Sequence, residues 1–181
     1  MRLFVAVALP AAARGELHRV AEGLRAAVPH AKWVPPDNIH LTLVFLGEVA
    51  EERVGVIASA IARVAARTGR IPTALGGLGA FPSARRARVL WAGLRDDTGE
   101  LGRLAEDTAD ALEPLGFTPE SRPWTAHLTL ARFRTPEDAR HLTGAAVEPV
   151  AFTVDAITLY RSRLARPAPR YEPVAQVAFG G

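Results

Sequence analysis

The sequence predicts an α+β fold of two pseudo-symmetric lobes, each an antiparallel sheet with helices on its outer side, with a central cleft between them. Three observations predict it. The tetrapeptide His-Leu-Thr-Leu occurs at His40 to Leu43 and again at His127 to Leu130. A strand-like segment precedes each copy at nearly equal distance: Arg2-Leu-Phe-Val-Ala starts 38 residues before His40, and Arg88-Val-Leu-Trp-Ala starts 39 residues before His127. Between strand and tetrapeptide, each half carries one amphipathic helical pattern. The 181 residues therefore read as a single bilobal domain, with lobes over about 2–78 and 87–160 and a C-terminal tail, 161–181, that packs back on them. A chain of this size buries roughly two thirds of its unfolded surface, enough for a core of its own.

Taken in order, the apolar run after Arg2 superficially resembles a short signal peptide, with Pro10 to Ala13 behind it. Its internal counterpart at Arg88 makes it a first strand instead. Leu17, Val20, Ala21, Leu24 and Val28 share one helical face, and Pro10 suits that helix's first turn. The first His-Leu-Thr-Leu follows as a strand. Val54, Ile57, Ile61 and Val64 are spaced as a second helix, and a strand is expected over about 73–78. The glycine-rich stretch Gly76 to Ser83 reads as a loop linking the lobes; no helix begins there and no lysine follows, which argues against a phosphate loop. In the second half, Leu101, Leu104, Ala105, Thr108, Leu112 and Leu115 form a helical face, with Gly116 suited to its C-terminal end. After the second motif, Thr135-Pro-Glu-Asp138 reads as a helix start before Leu142. A strand is expected over Phe152 to Tyr160, and Arg161 to Tyr171 reads as a basic loop.

Composition narrows the chemistry. There is no cysteine, which excludes disulfides, cysteine-based zinc sites and thiol nucleophiles. The net charge is +3, and Lys32 is the only lysine, so nearly all the basicity is arginine. This permits an anionic or nucleic-acid substrate without requiring one. No apolar run approaches the ~18 residues that span a bilayer, so a cytoplasmic protein with no membrane partner is expected; a monomer is expected as well.

Alternation along a strand places His40 beside Thr42 on one face and His127 beside Thr129 on one face. Leu41, Leu43 and Phe45, and likewise Leu128 and Leu130, then point the other way and pack beneath helices. Pseudo-symmetry brings the two pairs together across the lobe interface. Two imidazoles and two hydroxyls without a nearby carboxylate suit proton transfer better than metal binding, so no metal and no cofactor are expected. One imidazole acts as acid and the other as base, and the threonine hydroxyls hold phosphoryl oxygens as charge develops. Pseudo-symmetry leaves the two roles interchangeable. Strict parity places Arg132 on the leucine face, and it reaches the cleft as a phosphate ligand only if the strand ends or bulges first. Trp33 and Trp124 are expected at the lobe edges rather than against a base. His18, His30 and His141 have no repeat partner and no expected role.

The chain resembles the 2H phosphoesterase superfamily, defined by two His-x-Thr-x motifs, and within it the RNA 2',3'-cyclic phosphodiesterases first described as 2'-5' RNA ligases. The resemblance runs through Met1-Arg-Leu-Phe-Val-Ala, Trp33-Val-Pro-Pro-Asp-Asn-Ile-His-Leu-Thr-Leu-Val-Phe-Leu-Gly47 and Gly79-Ala-Phe-Pro-Ser. It continues through Val89-Leu-Trp-Ala-Gly93, His127-Leu-Thr-Leu-Ala-Arg132 and the tail from Ser162-Arg-Leu to Tyr171. It implies a bilobal enzyme that hydrolyses a terminal 2',3'-cyclic phosphate on RNA to a 2'-phosphate without a metal. His40 then serves as proton donor to the 3' oxygen, His127 as proton acceptor from water, and Thr42 and Thr129 as phosphate ligands. Many relatives have proline before the second histidine, where this chain has Ala126. Three other readings are compatible with the motifs: 2'-5' RNA ligation, hydrolysis of a small cyclic-phosphate nucleotide, and a non-catalytic RNA-end binding module.

Overall fold

A computed structural model describes residues 1–181. In chain order the elements are β1 (Arg2–Ala8), α1 (Ala11–Arg25), β2 (Lys32–Trp33), β3 (His40–Glu48), α2 (Val54–Ala66), β4 (Ile71–Phe81) and β5 (Ala87–Leu94). They continue with α3 (Glu100–Leu112), β6 (His127–Glu137), α4 (Arg140–Thr143), β7 (Ala151–Val154), β8 (Ala156–Arg163) and β9 (Arg170–Ala178). The strands join in the order β7-β4-β5-β6-β3-β1-β8-β9, with β2 paired to β6, and every pairing is antiparallel. The mixed architecture of two sheet halves with helices agrees with the α+β expectation.

The helices form where the apolar spacing places them. Leu17, Val20 and Ala21 of α1, Ile57, Ile61 and Val64 of α2, and Leu101, Leu104 and Leu112 of α3 are all buried. Pro10 is the residue before α1, where its missing N–H costs no hydrogen bond. At the start of α3 the Asp96 carboxylate accepts from the backbone N–H of Leu101 at 2.8 Å and of Gly102 at 2.9 Å, satisfying donors that the helix leaves open. Beyond its end, Gly116 takes a φ of +83°, a left-handed conformation that favours glycine. Side chains from α1, α2 and α3 meet Leu3, Val5, Val7, Leu41, Leu43, Leu128 and Leu130 in one core of 29 buried residues. That core anchors the strands that carry both His-Leu-Thr-Leu motifs.

Four expectations are corrected. Gly76 to Phe81 belongs to β4 rather than to a linking loop. Its glycines serve close approach: a Cβ on Gly76 would lie 3.4 Å from the Gly93 backbone, and one on Gly79 would lie 2.3 Å from the Trp91 ring. Thr135 to Glu137 does not start a helix, because β6 runs on to Glu137 opposite Ala87, and α4 is a single turn over Arg140–Thr143. The supposed basic loop Arg161 to Tyr171 is the end of β8, a short connection and the start of β9. Finally, the halves of the sheet do not follow the sequence ranges 2–78 and 87–160. β4, the third strand of the first sequence half, pairs with β5, while β8 pairs with β1. The half built on β5 and β6 thus takes β2 and β4 from the first part of the sequence, and the half built on β1 and β3 takes β8 and β9 from the last.

Candidate active site

The two halves of the sheet meet at β3 and β6, which share a single residue pair, Leu41 with Leu128. Both leucines are fully buried. The residues flanking this pair are the motif histidines and threonines, so both motifs start at the same joint and run away from it in opposite directions. The fold therefore brings His40, Thr42, His127 and Thr129 to one face, each partly exposed.

Both histidines are held in the same way. His40 Nδ1 donates to the Asn38 carbonyl at 2.7 Å, and His127 Nδ1 donates to the Thr125 carbonyl at 2.8 Å. A carbonyl can only accept, so Nδ1 carries the proton in each ring and Nε2 is left free. The same device, two residues upstream in each motif, leaves two equivalent nitrogens able to take or give a proton. Asn38 is itself tied down, since its side-chain amide donates to the Pro169 carbonyl in the β8–β9 connection at 2.8 Å. Trp124 Nε1 donates to the Thr42 carbonyl at 3.1 Å, linking the segment before the second motif to the first.

The pairing registers locate Arg132. On β1 and β3, Ala6 faces Thr42 and Val5 faces Val44, so Leu43 is an extra residue; on β5 and β6, Trp91 faces Thr129 and Leu90 faces Ala131, so Leu130 is an extra residue. Each bulge inverts the alternation beyond it. Arg132 consequently lies on the His-Thr face, opposite Val89, and its charge acts on both His40 and Tyr171. The same bulge corrects the expectation for Phe45. That side chain does not pack beneath the helices with Leu41 and Leu43 but stands 61% exposed on the His-Thr face, opposite Phe4. Arg132 and Phe45 are thus matching positions of the two motifs.

The surroundings of the two imidazoles differ. His40 stacks on Phe4 with ring centroids 4.8 Å apart and meets the edge of Tyr171 at 5.2 Å. This burial holds its pKa below the ordinary histidine value; the charges of His127 and Arg132 push the same way, and the hydrogen bond to Asn38 opposes them. Burial also raises the Tyr171 hydroxyl, against the charges of Arg132 and Arg2. His127 meets the edge of Phe81 at 5.0 Å, and Phe81 packs on Trp91 at 5.1 Å. Phe4, Asn38, Phe81, Trp91 and Tyr171 were not singled out as site residues from sequence. All five fall within the stretches that carry the family resemblance, and Asn38, like Thr125, stands two residues before its histidine.

Elsewhere the remaining candidates take structural places. Trp33 is partly buried against the core with the Arg25 guanidinium 5.4 Å from its ring centroid. His30 pairs with Glu137 at 2.7 Å, and His18 and His141 are exposed on helices. No group of three or more His, Cys, Asp or Glu side chains comes together as a metal site would require.

With this geometry in place, comparison with known proteins is decisive. The family model described as LigT like Phosphoesterase matches residues 7–91 and 94–171. The chain belongs to the LigT-like phosphoesterase family. Among LigT-like relatives, the RNA 2',3'-cyclic phosphodiesterase of Aeropyrum pernix is 34% identical over 171 residues, covering 90% of this chain and 94% of that protein. The RNA 2',3'-cyclic phosphodiesterase of Geobacillus stearothermophilus is 33% identical over 95% of this chain, which spans only 55% of that relative's length. The crystal structure of E. coli LigT complexed with 3'-AMP superposes with a TM-score of 0.78 at 31% identity, covering 99% of this chain and 98% of that one. The two-lobed architecture is that of the LigT-like fold.

Proposed function

We propose that this LigT-like phosphoesterase is an RNA 2',3'-cyclic phosphodiesterase that opens a terminal cyclic phosphate to a 2'-phosphate by metal-independent acid/base catalysis. One observation carries the reading: two imidazoles, each oriented through Nδ1 by the carbonyl two residues upstream, present free Nε2 atoms on the same face with Thr42, Thr129 and Arg132. The names of the relatives and the 3'-AMP bound to E. coli LigT support the choice of substrate.

The chemistry balances on these groups. Water attacks phosphorus and its proton passes to Nε2 of neutral His127. The bond from phosphorus to the 3' oxygen breaks, and Nε2–H of protonated His40 gives its proton to that oxygen. The 2' ester remains, with a free 3' hydroxyl. In this reading Thr42, Thr129 and the Arg132 guanidinium bind the non-bridging oxygens, whose charge grows in the transition state. His40 resists protonation in the free site because it is buried. An anionic phosphate beside it supplies the countercharge that favours the acid form. All these groups come from one chain, so a monomer suffices. No helix is long and apolar enough to cross a membrane, and a cytoplasmic enzyme acting on RNA ends fits the reading.

The test is hydrolysis of an RNA ending in a 2',3'-cyclic phosphate, followed by product analysis in the presence of a chelator. Wild type is expected to yield the 2'-phosphate with undiminished turnover. His40→Ala and His127→Ala should each lose roughly 10²- to 10⁴-fold in kcat, the usual worth of a positioned acid or base. Wild-type turnover in both variants would overturn the assignment, and binding without product would leave an RNA-end binding module.

A further inference from the structure

We propose that Lys32 and Arg134, extending the row begun by Arg132, seat backbone phosphates of single-stranded RNA upstream of its cyclic end, so that the enzyme prefers an oligonucleotide to a mononucleotide. This rests on the phosphodiesterase reading above. The seat follows from the way the two sheet halves part. β3 and β6 share only the Leu41–Leu128 pair, and beyond it β2 takes the edge of β6 that β3 leaves open. There Lys32 faces Arg132 and Trp33 faces Ala131. Residues facing one another across a ladder project from the same side of the sheet. Arg132, opposite Val89, lies on the face of His127 and Thr129, and the alternation of buried Ala131 and Phe133 with exposed Arg132 and Arg134 puts Arg134 on the same side as Arg132.

Lys32, Arg132 and Arg134 are all exposed. None is within ion-pair distance of a carboxylate, whereas Arg14, Arg19, Arg25, Arg140 and Arg163 each are. Three unpaired cations therefore stand together in a row whose inner member already acts electrostatically on His40. Arg132 and Arg134 are two residues apart on a strand, about 6.7 Å, comparable to the separation of successive phosphates in an extended single strand. On the proposed reading a lone cyclic nucleotide engages only Arg132 of this row, but an RNA strand continues past the catalytic pair and must place its phosphodiesters somewhere. The row offers them charge in a protein whose net charge is only +3.

The experiment compares wild type with the Lys32→Ala/Arg134→Ala double variant, leaving Arg132 in place. kcat/KM is measured over a series of salt concentrations on a 2',3'-cyclic mononucleotide and on a short oligoribonucleotide with the same terminal nucleotide. Binding of a labelled oligoribonucleotide is followed separately by anisotropy. Wild type should prefer the oligomer, and the preference should fade as salt rises. The double variant should bind the oligomer several-fold more weakly, with a salt slope shallower by about 0.7 for each phosphate that it no longer neutralises. Its mononucleotide kcat/KM should match wild type, and Lys32→Arg should retain the oligomer preference. An oligomer preference and salt slope unchanged in the double variant, or no preference in wild type at any salt, would overturn the seat. If wild type turned over neither substrate, the catalytic reading would fall, while the anisotropy series would still decide for or against the seat.

Discussion

His40 works under opposed influences. Packing against Phe4 and Tyr171 and the nearby charges of His127 and Arg132 disfavour its protonated form, and the Asn38 carbonyl favours it. The first set prevails, so the pKa lies below the ordinary value of about 6.5. The consequence for pH dependence has a definite sign. On the proposed two-histidine mechanism only the singly protonated pair of imidazoles is competent, so kcat/KM should rise as pH passes the lower of the pair's two apparent pKa values and fall beyond the higher. Lowering His40 places the ascending limb below about 6.5, whichever histidine is the acid. Tyr171→Ala, by uncovering one edge of the ring, should move that limb upward; a limb that stays put in the variant would refute the burial account. At this scale the motif residues themselves were legible, since His40, Thr42, His127 and Thr129 obey simple alternation. Phe45 and Arg132 were not, because one extra residue at Leu43 and at Leu130 reverses parity, and nothing in a single sequence marks a leucine as bulged rather than paired.

Among the elements, β4 was the least legible. Three glycines within four residues argue locally for a loop, and only the neighbouring strand reveals their use. Gly79 lies beneath the Trp91 ring, and Trp91 in turn packs against Phe81, whose ring supports His127. Gly79→Ala should therefore displace the indole, cost about 1–3 kcal/mol as overpacking does, and lower turnover through His127. Gly77→Ala on the same strand, where a Cβ meets nothing within 4 Å, is the control and should leave turnover intact. Thermal melts and kcat of the two variants decide it; equal effects would show that the glycines matter only for strand propensity. The segment from Thr135 failed for a related reason. Its proline and acidic residues form a fair helix start, but the ladder to Ala87 extends β6 through them, and tertiary pairing overrides local preference.

For the whole molecule, the Leu41–Leu128 pair is the one rung between sheet halves, and the histidines and threonines of both motifs flank it. Leu128→Ala should cost about 2–5 kcal/mol through the cavity it leaves, and should also reduce turnover per folded molecule by letting the halves shift. Leu142→Ala, also buried but in the separate cluster of eight residues that includes neither Leu41 nor Leu128, should cost a similar amount of stability while sparing turnover. Denaturant midpoints together with kcat at a temperature where both variants are folded separate the two effects, and parallel losses of activity would sink the idea. Spacing within short segments is enough to specify the secondary structure of the duplicated core, the burial of its helix faces and leucines, and the identity of the four motif residues. Spacing does not specify the exchange of β4 and β8 between halves, the bulges that turn Arg132 and Phe45 toward the His-Thr face, or the carbonyls that orient both imidazoles. Those features arise from pairing between residues distant in the chain, where the register of one strand depends on what its neighbour offers.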